Sequence, residues 1–234
     1  MALKGRVMTI DKLTIQDKQE MYSLMDSHYD NVKKENFDCD LLEKNWILLL
    51  RDELKIIRGF STIMILDLEI DGIMVKGIFS GDTIIDQDYW GETELLKKWG
   101  QFVMDIASRY QGDEVYWLLL SKGYKTYRFL PIYFKEFYPR YKQETPEFEK
   151  KLIDKYGEYK YPKGYCSKTG LIYNQGDNYY LKAEIDQIPK SKLKNPHVKF
   201  FLDKNSGYNK GNELVCVAKL TDDNLKKTAK WLLR

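Results

Sequence analysis

Two apolar runs in the first half of the chain are separated by a dipeptide typical of tight turns. Residues 60–70 end in a strict alternation of apolar and acidic residues, Leu66-Asp67-Leu68-Glu69-Ile70, and residues 73–85 begin a second run after Asp71-Gly72. Alternation with a period of two predicts a strand with one face in water. Asp-Gly favours the positive φ values that a two-residue hairpin turn needs. The pattern therefore predicts an antiparallel hairpin.

A different period follows the hairpin. Apolar residues recur at steps of three and four from 95 to 110, among them Leu95, Trp99, Val103 and Ile106, which predicts an amphipathic helix. Residues 115–120 are continuously apolar and predict a strand buried on both faces. Because a strand, a helix and a strand in this order form a right-handed parallel unit, we expect the strands over 73–85 and 115–120 to be parallel.

Earlier and later segments complete the prediction. Thr14 and Asp17 have the spacing of a capping box before a helix containing Met21 and His28, and residues 6–14 and 46–50 predict strands. Residues 124–138 predict helix, in which Pro131 starts a second helix or kinks a long one. Further on, the pattern predicts a helix over 145–156, strands over 179–185, 198–202 and 214–220, and a last helix capped by Thr221.

These elements predict an α/β fold with a mixed, mostly antiparallel twisted sheet flanked by helices. We expect a core over residues 1–141 and a C-terminal extension over 142–234 packed on it as one structural unit. At 234 residues, the chain can bury such a core without disulfides or metals.

Composition narrows the function classes. With 38 basic and 35 acidic side chains the net charge is +3, too balanced to indicate nucleic-acid binding. The three cysteines are odd in number and widely spaced, which argues against a disulfide framework or a zinc site and favours a reducing compartment. No apolar run reaches the ~20 residues of a membrane span. We therefore expect a cytoplasmic protein without a membrane span, metal or nucleic-acid partner.

The loop before the amphipathic helix is a candidate anion site. It contains Tyr89-Trp90-Gly91-Glu92-Thr93. Backbone N–H groups at a helix N-terminus lack partners and attract anions, and a glycine lets a phosphate approach them. An ordinary strand-to-helix turn, in which glycine is common, is the alternative interpretation.

Residues 14–141 resemble the GNAT superfamily of acyltransferases and are similar to its members that use long acyl donors, such as acyl-homoserine-lactone and N-acyl amino acid synthases. The resemblance is carried by the buried run 115–120 and by two motifs, Asp88-Tyr89-Trp90-Gly91-Glu92-Thr93 and Ile132-Tyr133-Phe134-Lys135-Glu136-Phe137-Tyr138. In the loop, Trp90 replaces the usual Arg and Thr93 replaces a usual Gly. These departures leave three possibilities open: an altered pantetheine contact, a carrier-protein donor, or a lost donor site.

The resemblance implies an N-acyltransferase that moves an acyl group from a thioester to an amine of a small molecule or peptide. The donor would be acyl-CoA or a phosphopantetheine thioester on an acyl carrier protein. Its pantetheine would contact Ser80 and Gly81, and its pyrophosphate would contact Trp90, Gly91, Glu92 and Thr93. Lys122 and Arg128, together with Lys125, would meet its phosphates or the carrier's acidic helices. A solvated helix face is the alternative for these cations.

Three side chains are candidates for proton transfer. Tyr133, in the family's closing motif, is protonated at neutral pH and is the candidate acid for the leaving thiolate. Asp82 and His28 are candidate bases for the acceptor ammonium; the alternative for His28 is a structural or solvated histidine. A GNAT-like fold used as a non-catalytic binding or scaffold module is the alternative function. The extension after residue 141 is a candidate surface for a peptide acceptor.

Overall fold

The computed structural model describes residues 3–110, 112–176, 179–182 and 187–233, the last range without the side chains of residues 231 and 232. The strands are β1 (Lys4–Thr9), β2 (Tyr29–Asp30), β3 (Trp46–Arg51), β4 (Ile57–Ile70), β5 (Ile73–Ile85), β6 (Glu114–Ser121), β7 (Tyr165–Cys166), β8 (Leu171–Ile172), β9 (Tyr180–Leu181) and β10 (Glu213–Lys219). The helices are α1 (Ile15–His28), α2 (Lys34–Leu42), α3 (Glu94–Arg109), α4 (Tyr124–Tyr127), α5 (Phe129–Tyr133), α6 (Glu147–Lys160), α7 (Pro196–Lys204) and α8 (Lys227–Leu233).

An eight-stranded sheet with the order β1-β3-β4-β5-β6-β10-β8-β7 organises the described residues. β5 and β6 are parallel, and every other neighbouring pair in this sheet is antiparallel. α3 connects the parallel pair. The predicted fold class, a mixed and mostly antiparallel sheet flanked by helices, is confirmed. The strands β7, β8 and β10 lie after residue 141, so the two parts of the chain share one sheet.

Local signals placed several elements correctly. Asp71 and Gly72 have φ values of 51° and 79° and close the β4–β5 hairpin, as the dipeptide predicted. At the start of α1, Thr14 accepts a hydrogen bond from the Asp17 backbone while the Asp17 side chain accepts one from the Thr14 backbone. The capping box is therefore confirmed.

The helices cover both faces of the sheet. α3, α4, α5, α7 and α8 pack on one face around buried residues such as Trp117 and Phe201, and α6 packs on the other around Leu118 and Tyr156. Because side chains alternate across a strand, the neighbours Trp117 and Leu118 belong to different layers. A third group of buried residues joins α1 and α2 to β3 and β4.

Two predictions for the C-terminal part of the chain were wrong, one of a strand and one of a helix cap. Residues 198–202, predicted as a strand, lie in α7, because the Asn195 side chain accepts hydrogen bonds from the His197 and Val198 backbones and Pro196 starts the helix. Thr221 precedes a 3₁₀ turn, Asp222–Asn224, without a capping hydrogen bond from its side chain. The last helix, α8, begins only at Lys227.

The helix predicted over 124–138 is shorter than expected. It is divided into α4 and α5, with Pro131 inside α5, and it ends at Tyr133. Beyond it, Phe134 and Tyr138 make isolated bridges to Leu225 and Val217, so backbone pairing replaces the helix. The strand predicted over 214–220 is confirmed as β10. Of the strand predicted over 179–185, β9 is described, and residues 183–185 lie outside the described residues.

None of the helices in the described ranges is long and apolar enough to cross a membrane. In the same ranges, no group of three or more His, Cys, Asp or Glu side chains is placed to hold a metal ion.

Candidate active site between two diverging strands

The parallel strands β5 and β6 separate before either of them ends. Their last paired residues are Ser80 and Leu119. Beyond this pair β5 continues to Ile85 against β4, while β6 continues to Ser121 against β10. Beyond Ser80 the backbone of β5 is therefore no longer bonded to β6, and the Gly81 and Ile85 carbonyls accept hydrogen bonds from side chains instead.

A β-bulge starts the divergence. Gly81 and Asp82 of β5 lie opposite the single residue Thr62 of β4, where the register shifts. A Cβ atom on Gly81 would lie 2.3 Å from Thr62 Oγ1 and 2.8 Å from Lys44 Cε. Any side chain at this position would have to displace Thr62 or Lys44, which explains the glycine. The bulge changes the direction of β5 and sets the orientation of Asp82.

A cavity of about 260 Å³ opens on the α3 side of this divergence. Its wall is largely apolar and is built by α3, β6, α5 and the C-terminal segment, with Leu96, Trp99, Met104, Phe129, Leu225 and Ala229 among the contributing residues. Such a space excludes water and accepts an apolar group.

The cavity follows β6 into the fold. Its lining includes Lys122 and Tyr124 just beyond the end of the strand, and Trp117 and Leu220 deeper inside. Leu220 donates its backbone N–H to Val115, which locates it near the start of β6. From Lys122 to Trp117 the chain rises ~16 Å at ~3.3 Å per residue. The cavity is therefore elongated along the strand.

The loop between β5 and α3 lies at the surface end of the cavity. Trp90 lines the cavity and donates its indole N–H to the backbone oxygen of Ile85 (3.0 Å). The Lys125 ammonium lies 3.9 Å from the centre of the Trp90 ring. Gly91 has a φ of 106°, and Thr93 starts α3 without a side-chain cap. The first backbone N–H groups of α3 are thus left without a capping side chain.

Asp82 and Tyr179 meet at the divergence. The Tyr179 hydroxyl donates a hydrogen bond to Asp82 Oδ1. Burial raises the pKa of Asp82 to about 6, and the Asp40 carboxylate adds to this, while Tyr179, Lys122 and Lys44 act in the opposite direction. A carboxylate with this pKa is mostly ionised at neutral pH and still takes up a proton readily.

Lys122 contacts the same group of residues. Its ammonium lies 3.0 Å from Glu213 Oε1 and donates a hydrogen bond to the Tyr179 backbone oxygen (3.1 Å). It also lies 3.6 Å from the Tyr179 ring centre and 5.6 Å from that of Tyr29. Lys122 thus points inward, whereas Lys125 is exposed beside Trp90. The cations predicted to meet donor phosphates are therefore divided between two environments.

The remaining predicted residues are placed as follows. Ser80 lines the cavity, and its hydroxyl accepts a hydrogen bond from Trp117 Nε1 (2.8 Å). Gly91, Glu92 and Thr93 are exposed on the loop. Arg128 lies half-buried between α4 and α5 and is not among the described residues that line the cavity.

His28 and Tyr133 both line the cavity but differ in their surroundings. His28 Nδ1 lies 2.9 Å from the Leu24 backbone oxygen and Nε2 lies 3.0 Å from that of Ile85, so both ring nitrogens contact backbone carbonyls. Tyr133 is half-buried, and burial raises the pKa of its phenol, which keeps it protonated. His28 is thereby held between α1 and the end of β5, and Tyr133 retains a proton to donate.

Three residues of this site were not predicted from the sequence. Tyr179, Glu213 and Lys44 approach Asp82 or its neighbour Lys122 from segments distant in sequence. The high tyrosine content was the one available signal, and it did not distinguish Tyr179 from the other tyrosines.

No family model and no curated protein matches the sequence. Solved structures with similarity in fold include a probable N-acyltransferase from Enterococcus faecalis V583 (TM-score 0.42, 15% identity, 57% of this chain and 33% of that one). The GNAT family N-acetyltransferase YhbS from Escherichia coli in complex with CoA has a TM-score of 0.37 and 13% identity, over 52% of this chain and 65% of that one.

N-myristoyltransferase from Saccharomyces cerevisiae with bound myristoyl-CoA has a TM-score of 0.39 and 10% identity, over 52% of this chain and 30% of that one. This chain thus spans about a third of the length of the Enterococcus protein and about two thirds of YhbS. Similarity at these scores and identities concerns the general fold and carries no information about the reaction of this chain.

Proposed function

We propose that this protein is an N-acyltransferase that moves an acyl group from a thioester donor to an amine. One observation carries the proposal: an elongated apolar cavity and a carboxylate with a raised pKa lie at the same divergence of two parallel strands. Lys122 connects them, because it lines the cavity and contacts Tyr179, the hydrogen-bond partner of Asp82.

The donor is an acyl-CoA or another phosphopantetheine thioester. Its apolar portion occupies the cavity, and its polar end lies at the loop of Trp90, where Lys125 and the uncapped start of α3 can meet anionic groups. Beyond Ser80, the edge of β5 that no longer pairs with β6 faces the pantetheine amides.

The proton transfers are assigned by environment. The acceptor amine must lose a proton to become a nucleophile, and Asp82 takes it. The amine nitrogen then attacks the thioester carbonyl, the carbon–sulfur bond breaks, and the thiolate receives a proton from Tyr133. We favour Asp82 over His28 as the base because both nitrogens of His28 already contact backbone oxygens.

The test has two stages. Thermal unfolding is measured with acyl-CoAs of increasing chain length and with an acylated carrier protein, because a ligand of the folded state raises the Tm. Release of free thiol is then followed in the presence of small amines and peptides. We expect stabilisation by at least one donor and amine-dependent thiol release. The absence of any stabilisation at about 1 mM donor would rule out the proposed enzyme.

A non-catalytic binding module is the second candidate. It is favoured by the replacement of the usual Arg and Gly of the donor loop by Trp90 and Thr93. Stabilisation by a donor without thiol release, over a broad set of amines, would support this alternative.

A further inference from the structure

Tyr179 contacts Asp82 but takes no part in the proposed acyl-transfer steps. We propose that Tyr179 is a positioning residue: its hydroxyl orients the Asp82 carboxylate, and its backbone and ring hold Lys122 beside it. The role of Tyr179 in catalysis rests on the proposed function, whereas its effect on the orientation and proton affinity of Asp82 does not.

The position of Tyr179 is determined by a small sheet outside the main one. The next residues form β9, in which Tyr180 pairs with Asp30 and Leu181 pairs with Tyr29 of β2. β2 follows α1 directly, so α1 and its extension locate the segment. The Tyr29 ring meets the Tyr179 ring edge to face at 4.9 Å between centroids. Tyr179 is therefore held by both backbone pairing and aromatic packing before its hydroxyl reaches Asp82.

One residue thus contacts a half-buried anion and a half-buried cation. The hydroxyl donates to Asp82, while the carbonyl oxygen accepts from Lys122 and the ring lies under its ammonium. Glu213 completes the surroundings of Lys122 at 3.0 Å. A carboxylate removed from water is costly to ionise unless donors and cations compensate. Tyr179 supplies the donor directly and keeps the cation in place.

Titratable groups from several described segments influence Asp82. Asp40 of α2 opposes its ionisation, and Lys44 and Lys122 favour it. The phenols of Tyr29 and Tyr161 and the Glu213 carboxylate share this environment. Loss of the Tyr179 hydroxyl removes a stabilising contact of the anion while Asp40 and burial remain. The proton affinity of Asp82 must then increase.

Tyr179→Phe tests the proposal because it retains the ring and removes only the hydroxyl. Tyr180→Phe is the matched control, since Tyr180 is the next residue and is 37% exposed. The ¹³C signal of the Asp82 carboxyl group is titrated in the full-length wild type and in both variants. We expect the midpoint to rise by about one pH unit in Tyr179→Phe and to stay at the wild-type value in Tyr180→Phe. An unchanged or lower midpoint in Tyr179→Phe would overturn the positioning role.

Two further measurements separate the possible failures. With an active donor and amine, the acid limb of kcat/KM should shift by the same amount in Tyr179→Phe while donor stabilisation is unchanged. If the wild type transfers no acyl group, the proposed function fails, and the titration still decides the role of Tyr179. If Tyr179→Phe does not fold, 3-fluorotyrosine at position 179 provides a stronger donor on the same ring. It should lower the midpoint, and an unchanged midpoint would again overturn the role.

Discussion

The Tyr179 hydroxyl and the Asp82 carboxylate form a hydrogen bond between residues 97 positions apart in the chain. It joins the bulge of β5 to the segment that leads into β9. The bulge orients the carboxylate, and the later segment supplies the donor. The candidate base therefore depends on both parts of the chain.

Replacement of Asp82 by Asn should slow acyl transfer. The amide cannot accept the acceptor's proton, and loss of a general base costs typically about 10²- to 10⁴-fold in rate. The measurement is kcat/KM for the amine against pH, in which the wild type should lose activity below a pH of about 6. Asp113→Asn, at an exposed carboxylate of the turn before β6, is the control and should keep the wild-type profile. A normal rate in Asp82→Asn would remove it from the mechanism.

The same substitution should change how stability depends on pH. The pKa of Asp82 is raised from 3.8 to about 6, so the folded state binds its proton more tightly than the unfolded state does. The contribution of the protonated Asp82 to the free energy of unfolding is fully present below a pH of about 4 and is lost as the pH rises through about 6. The neutral Asn does not lose this contribution. As the pH rises between those limits, the free energy of unfolding of Asp82→Asn should therefore increase by about 2 kcal/mol relative to that of the wild type, a value that allows for the partial exposure of Asp82.

Urea unfolding at several pH values measures this difference. A gap between the two proteins that stays constant with pH would show that the pKa of Asp82 is not raised on folding.

Filling part of the cavity from α8 should select against long acyl chains. Ala229 is buried and lines the cavity beside Leu225, so Ala229→Phe places a ring inside it. We expect Tm shifts with long-chain acyl-CoA to fall more than those with acetyl-CoA, because a long chain fills more of the cavity than an acetyl group does. Lys227→Phe adds the same ring at an exposed position of α8 and should preserve the wild-type order of donors. Equal loss for all chain lengths would contradict this location of the acyl chain.

A methyl group at Gly81 should displace the bulge. The new Cβ in Gly81→Ala would lie 2.3 Å from Thr62 Oγ1, closer than nonbonded atoms approach. We expect a loss of about 1–3 kcal/mol in the free energy of unfolding, as for other overpacked sites. Thr62 Oγ1 is buried without a hydrogen-bond partner, so Thr62→Ala removes the obstacle without breaking a bond. The double variant should recover part of the loss; strictly additive effects would contradict the proposed clash.

Local patterns were sufficient where neighbouring residues determine the structure. The Asp71-Gly72 turn, the Thr14–Asp17 capping box and the apolar stripe of α3 each depend on side chains within a few positions of one another. The continuous apolar run of β6 likewise predicted a strand buried on both faces. These elements predicted the β4–β5 hairpin and the parallel pair of β5 and β6, and the structure has both.

Short apolar segments were ambiguous for a physical reason. The segment 198–202 contains enough apolar residues for either a buried strand or a helix. It is helical because the Asn195 side chain caps the first turn. Ser80, Trp90 and Tyr133 line the cavity and lie on elements that local patterns define, whereas Asp82 of β5 is not among the described residues that line it. The contacts of Lys122 with Glu213 and Tyr179 were not predictable, since no spacing along the chain expresses them.

The sequence by itself determined the hairpin, the loop with Gly91, the helix after it and the buried strand that together frame the site. Their patterns follow from backbone dihedral preferences and from the periodicity of burial, which act over a few residues. Only the tertiary structure decided that the half-buried Asp82 meets Tyr179 near Lys122, and that α8 forms a wall of the cavity. These contacts depend on how distant segments pack, and their desolvation sets the proton affinity of the carboxylate.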